Sequence, residues 1–253
     1  MEYLIVCPLC LLAGFIDAIA GGGGLISLPA FLFAGLPVHN ALGTNKLQAA
    51  MGTVVATWRY AREGYMMRGF VTVGVLCGLF GSACGTRLAL ATDDFAFRVI
   101  MLLILPVVAY YVLRTRDLGV YDGRPLPLGR AVAITATVSL VIGVYDGFYG
   151  PGTGTFLMLL LTALARQSLR QAAGTTKAVN LATNLASLAV FLWNGTPLIA
   201  LGLVAGLFSI VGNWLGARFF TERGSRIVRP IMLVVIGLFA LRLVIDIGRA
   251  ALR

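Results

Sequence analysis

Two residue pairs in this chain have the types and spacing to handle a charged ligand. Only two of its 20 cationic side chains are lysines, and they stand in matching motifs, Gly43-Thr44-Asn45-Lys46 and Gly174-Thr175-Thr176-Lys177, 131 residues apart. Lysine is a compact point charge that can lose its proton when buried, which arginine does not do. The second pair is acidic. Asp17 closes Gly14-Phe15-Ile16-Asp17, Asp146 closes Gly143-Val144-Tyr145-Asp146, and each shortly precedes a glycine-rich break, Gly21-Gly22-Gly23-Gly24 or Gly150-Pro151-Gly152-Thr153-Gly154. These aspartates could pair with the lysines, carry coupling protons or cap a broken helix, and the residues alone leave the choice open.

Polar neighbours fill out a binding face. Thr44 and Thr175 read as N-caps of helices that start at the lysine motifs, which would turn first-turn N–H groups and the positive helix end toward an anion. Asn45, Gln48, Thr176, Asn180 and Asn184 fall on or near one face of the following helices. They could line a site or hydrogen-bond between helices. At the breaks, Gly22, Gly23, Gly24, Gly152, Thr153 and Gly154 would offer backbone amides. His39, the only histidine, lies in a short loop and receives no role. Cys7 and Cys10 form a CxxC without a second ligand pair, so they read as packing residues and no metal or cofactor is expected.

The elements that hold these residues must sit in a bilayer. The chain is 59% hydrophobic and 12% charged, with a mean hydropathy of +0.92, about half the charge of a soluble domain. Ten apolar segments can be read, near 3–20, 25–36, 43–61, 70–91, 95–113, 129–149, 154–165, 174–193, 197–219 and 228–248. Segments 25–36 and 154–165 reach only ~18 Å as helix, short of the ~30 Å hydrocarbon layer. The expected fold is an all-α polytopic membrane protein in which glycine breaks open two short helices. No basic region or cleavage site marks a signal peptide, so the first apolar stretch reads as a span.

The matched motifs belong to a longer repeat. From Gly43 onward the offset stays at 131 residues, pairing Gly64 with Gly195, Gly81 with Gly212, Gly85 with Gly216, Arg87 with Arg218 and Arg98 with Arg229. This divides the chain into a first repeat, 1–120, and a second, 121–253, within one transmembrane domain. Five segments per repeat, an odd number, would insert the second half upside down. Charge agrees: Arg59, Arg62 and Arg68 follow segment three, whereas the equivalent Asn194-Gly195-Thr196-Pro197 has no charge. Positive loops mark the cytoplasmic side, so equivalent loops lie on opposite faces. The net charge of +10 is thereby explained by topology, without nucleic acid as a partner. For Gly74, Gly78, Gly81 and Gly85, the small-xxx-small spacing predicts close helix contact.

In order and in detail, these motifs resemble the sulfite exporter TauE/SafE family. The resemblance rests on Gly14 to Gly24, Leu28-Pro29 and Gly43 to Lys46, and on the second copy, Asp146 to Gly154 and Gly174 to Lys177. It covers essentially the whole chain. It implies a multi-pass permease of the cell inner membrane associated with sulfite, sulfonates and related sulfur compounds, often as exporter. The expected partners are a small anionic substrate, the bilayer and a coupling proton or ion, and the oligomeric state is left open. Inverted repeats with broken helices are a transporter design, with the site near the bilayer midplane. No Walker-type G-x-x-x-x-G-K-[ST] occurs, so an ion gradient rather than ATP would drive uphill movement. Two other functions fit less well. An anion channel would share the site without alternating gates. An intramembrane aspartyl protease would need its carboxylates in contact and free of adjacent positive charge, yet each aspartate travels with a lysine, so no enzyme is expected.

Overall fold

The structure, a computed structural model, describes residues 2–114 and 126–219. The expected tenth segment and the boundary between residues 120 and 121 lie outside the described residues. Those described form nine helices: α1 (Glu2–Ala20), α2 (Gly24–Phe33), α3 (Val38–Arg62), α4 (Arg68–Leu90), α5 (Asp94–Arg114), α6 (Leu128–Phe148), α7 (Thr153–Ala163), α8 (Leu169–Trp193) and α9 (Ile199–Arg218). The chain is an all-α polytopic membrane protein. α1, α4, α6 and α9 are long and apolar enough to cross a bilayer.

α3 and α8, at 25 residues each, are also long enough to cross, at ~37 Å. They carry the polar motifs, and lipid cannot satisfy polar groups. The packing resolves this conflict by placing them inside. α3 lies against α8, and each is covered in turn, α3 by α9 and α8 by α4. Polarity is therefore distributed inside out. Lys46, Gln48, Thr86, Ser139, Lys177 and Asn213 are buried, while Phe80, Leu103, Val141, Leu207 and Trp193 are exposed. In a bilayer these apolar residues meet acyl chains.

The packing occurs twice. α1 runs along α9 as α6 runs along α4, and α3 contacts α9 as α8 contacts α4. Small residues permit it, as the glycine spacing predicts. A Cβ on Gly81 would fall 2.4 Å from the Leu140 carbonyl oxygen, and one on the equivalent Gly212 would fall 2.0 Å from that of Leu11. The ends of α3 and α8 also match. Gly64 and Gly195 take left-handed φ values of 74° and 65°, a conformation that favours glycine after a helix. The residue after each returns its N–H to the carbonyl five positions back, Tyr65 to Tyr60 at 3.1 Å and Thr196 to Phe191 at 3.2 Å.

Two helix starts differ from expectation. α3 begins at Val38 after Pro37, and α8 at Leu169 after Ser168, each about five residues before the expected start. Thr44 and Thr175 therefore lie within helices and are not their N-caps. The cap of α8 is a capping box in which the Ser168 hydroxyl accepts from the Gln171 N–H while the Gln171 side chain accepts from the Ser168 N–H. Thr44 instead caps a neighbour, its Oγ1 accepting from the Leu198 N–H at 2.9 Å where α9 begins. α2 and α7 are the two short helices, 10 and 11 residues long.

Candidate functional site

Each short helix starts at a glycine break, and the two breaks touch. A Cβ on Gly21 would lie 2.4 Å from the carbonyl carbon of Gly154, and one on Gly154 would lie 2.5 Å from the Cα of Gly21. Backbone cannot step aside as a side chain can, so this approach requires glycine on both sides of the contact. The Thr155 hydroxyl links the breaks by donating to the Ala20 carbonyl at 2.7 Å. Tyrosines hold them from outside, Tyr60 donating to Ala18 O at 2.8 Å and Tyr145 to Pro151 O at 2.6 Å.

The contact brings together the N-termini of α2 and α7. Among the described residues, no acceptor meets the N–H groups of Gly22, Gly23 and Gly24, or those of Gly152, Gly154 and Thr155. Such groups, together with the positive ends of two helix dipoles, form a general anion-binding environment.

The lysines and aspartates meet across the repeats. Lys46 Nζ donates to Asp146 Oδ2 at 2.8 Å and to the Asp146 carbonyl at 2.7 Å. Lys177 Nζ donates to Asp17 Oδ2 at 2.8 Å and to the Asp17 carbonyl. Each lysine thus bonds the aspartate of the other half, at the end of the helix ahead of its break. Of the three roles open to the aspartates, pairing with lysine is the one observed. Side-chain exposure is 3% for Lys46 and 4% for Asp146, against 0% for Lys177 and 16% for Asp17. Among the described residues Lys46 is the one positive side chain that lines the cavity, and both lysines balance carboxylates instead of standing as free cations.

Around the breaks lies a cavity of ≈ 40 Å³, room for about three water-sized groups. Its lining includes Asp17, Gly23, Gly24, Asn45, Lys46, Gln48, Asp146, Thr153, Gly154, Asn180 and Asn184, all expected at the site from sequence. Gly22, Gly152, Thr44, Thr175, Thr176 and Lys177 lie outside the lining, and Lys177 reaches it only through Asp17. The hydroxyls of Thr175 and Thr176 are buried without a partner among the described residues, facing the packed interior. Asn45 Oδ1 accepts from Ser27 at 2.6 Å and from Gln48 at 3.1 Å, which leaves its Nδ2 for the cavity. The carboxamides of Asn180 and Asn184 have no protein partner among the described residues.

The lining also holds residues that sequence reasoning misses. Gly21 and Gly150 belong to the breaks, Thr53 lies further along α3, and Ser209 and Asn213 come from α9. The last two carry a signal, being polar residues four apart in an otherwise apolar span. Elsewhere, His39 lies in the first turn of α3 and not in a loop, where it bridges the ends of α4 and α5, with Nδ1 3.1 Å from Asp94 Oδ1 and Nε2 3.0 Å from Ala89 O. Cys7 and Cys10 are free and buried, in line with packing.

An apolar outer surface around a small charged cavity, at the crossing of two interrupted helices, defines a multi-pass membrane transporter. Comparison with known proteins narrows the class. Residues 6–243 match the family described as Sulfite exporter TauE/SafE. The chain belongs to this family. It is 37% identical over 93% of its length to "Probable membrane transporter protein ORF9" of a Sinorhizobium species, covering 89% of that protein. A "Probable membrane transporter protein" of Haemophilus influenzae is likewise 37% identical, with 93% and 92% of the chains covered. "Probable membrane transporter protein YfcA" of Escherichia coli K12 is 32% identical over 93% of this chain and 87% of its own. No solved structure matches significantly. The chain is accordingly a membrane transporter and not an enzyme. Asp17 and Asp146 are each paired with a lysine, which also runs against a protease dyad.

Proposed function

We propose that the chain is a secondary transporter that exports a small anionic sulfur compound, sulfite or a small sulfonate, across the cell inner membrane by alternating access. The observation that carries this reading is the convergence of two helix N-termini, with unspent N–H groups, on one small cavity bounded by the cross-repeat ion pairs. The amides of Gly23, Gly24 and Gly154 and the Nδ2 of Asn45 are the donors for the anion's oxygens. Lys46, on the cavity wall, adds charge attraction. Balanced ion pairs leave the empty site near neutral, so an anion is favoured by oriented dipoles and is not trapped by uncompensated cations. Cavity size supports a small substrate.

The ion pairs also supply a means of coupling. Because Lys46–Asp146 and Lys177–Asp17 each join one repeat to the other, protonating an aspartate would weaken a tie between the moving halves. Asp17, the more exposed acid, is the one a proton reaches more readily from the cavity. The same fold could operate as an anion channel, and counterflow separates the two. Proteoliposomes loaded with unlabelled sulfite should take up external radiolabelled sulfite transiently above equilibrium. Simple equilibration without overshoot would indicate a channel, and no sulfite movement would remove sulfite as substrate.

A further inference from the structure

The frame of the cavity is symmetric, but its polar lining is not. At equivalent repeat positions stand Gln48 and Val179, Ser209 and Gly78, and Asn213 and Ser82. On the α4 side the space is closed. Methyl groups of Val179 lie 2.9 Å from where a Cβ on Gly74 or Gly78 would sit. Ser82 is fully used there, its hydroxyl 2.8 Å from Thr183 O and 2.7 Å from Ser187 Oγ.

On the α9 side the space is open and polar. Gly14 and Gly52 make room for Asn213, since a Cβ at either would fall 2.9 or 2.4 Å from its Nδ2. That Nδ2 donates to Ser209 O at 3.0 Å. A carbonyl can only accept, so this bond fixes the amide's orientation and turns Oδ1 the other way. Gln48 similarly commits Nε2 to Asn45 Oδ1 at 3.1 Å. Both remaining oxygens, Asn213 Oδ1 and Gln48 Oε1, are buried without a donor among the described residues. Their residues are 1% and 2% exposed, and both line the cavity. Buried acceptors are ordinarily satisfied, so these two call for a donor on whatever occupies the cavity.

We infer that the site selects a small anion bearing its own hydrogen-bond donor, with charged oxygens on the glycine-break amides and an O–H or N–H directed at Asn213 and Gln48. This inference rests on the anion-binding reading above and adds the donor requirement. A protonated oxyanion, or an organic anion with a hydroxyl or amino group, meets it. A fully deprotonated or donor-free anion does not.

Matched probes test it on the purified full chain. Bicarbonate and nitrate are both planar and singly charged, and hydrogensulfite and chlorate are both pyramidal and singly charged. Only the first of each pair carries a donor. Affinities measured by calorimetry, at about pH 6 for the sulfur and chlorine oxyanions and about pH 8 for bicarbonate and nitrate so that each donor-bearing anion keeps its proton and single charge, should favour the donor-bearing member by at least about fivefold in each pair. Asn213→Ala and Gln48→Met should each bring that preference to within about twofold, whatever the change in overall anion affinity. If all four anions bind wild type equally, the donor requirement is overturned while anion binding stands. It is likewise overturned if both variants keep the wild-type preference. If none of the four binds, the anion reading falls and the inference with it. The wild-type comparison decides by itself should a variant fail to fold.

Discussion

Removing Lys46 alone would strand the Asp146 carboxylate, which is buried at 4% exposure. The loss of one partner of a buried ion pair costs about 3–5 kcal/mol, whereas replacing both by apolar groups of similar volume is often neutral. Lys46→Met should therefore lower the thermal midpoint of the detergent-solubilised protein sharply. The double variant Lys46→Met, Asp146→Leu should recover most of that loss. If the pair's role is coupling, the recovered protein should still lack gradient-driven transport. Equal destabilisation by the single and double variants would show that the lysine acts through other partners. This also explains why a lone alanine substitution at either lysine is a poor probe of substrate affinity, because it perturbs the fold and the site together.

At the scale of elements, the site depends on where α8 starts and where the breaks fall. The Ser168–Gln171 capping box begins α8 about two and a half turns ahead of Lys177, and so sets the height at which Lys177 meets Asp17. Replacing an N-cap serine by alanine typically costs ~1 kcal/mol. Ser168→Ala should thus lower stability by about that amount, while Ser168→Asp, which also caps, should restore it. Thermal unfolding followed with a thiol-reactive dye, which reports exposure of the buried Cys7 and Cys10, measures both. An unchanged midpoint in Ser168→Ala would mean that tertiary packing alone holds the start of α8.

For the whole molecule, the decisive question is orientation. The packing recurs with α1–α9 matching α6–α4, and the turns at Gly64 and Gly195 share their conformation. Inversion puts these equivalent turns on opposite faces of the membrane. Single cysteines at 64 and 195, in a background lacking Cys7, Cys10, Cys77 and Cys84, should differ in reaction with an impermeant maleimide on intact cells. Position 195 should label and position 64 should not. Labelling of both from the same side would exclude inverted repeats and the rocking mechanism built on them.

Part of this is legible in the chain because it is written in composition and repetition. Apolar segments long enough for a bilayer, two short segments behind glycine breaks and the 131-residue repeat identify a polytopic helical protein, since the bilayer demands helices of set length. Duplicated Asp, Gly-break and Lys motifs supply most of the cavity lining. Other features need three dimensions. The sequence places each aspartate near the lysine that follows it, yet Lys46 pairs with Asp146 and Lys177 with Asp17, because α3 and α8 pack against each other and carry each lysine to the aspartate distant in sequence. The lysine motifs resemble first turns and so misplace the helix starts, although the capping box at Ser168 is there to be read. Asn213 and Gln48, 165 positions apart, come to line one cavity only when α9 packs on α3. Local pattern specifies what each helix can face, but which side chains share a cavity depends on packing between distant helices, and periodicity within one segment carries no information about its partner.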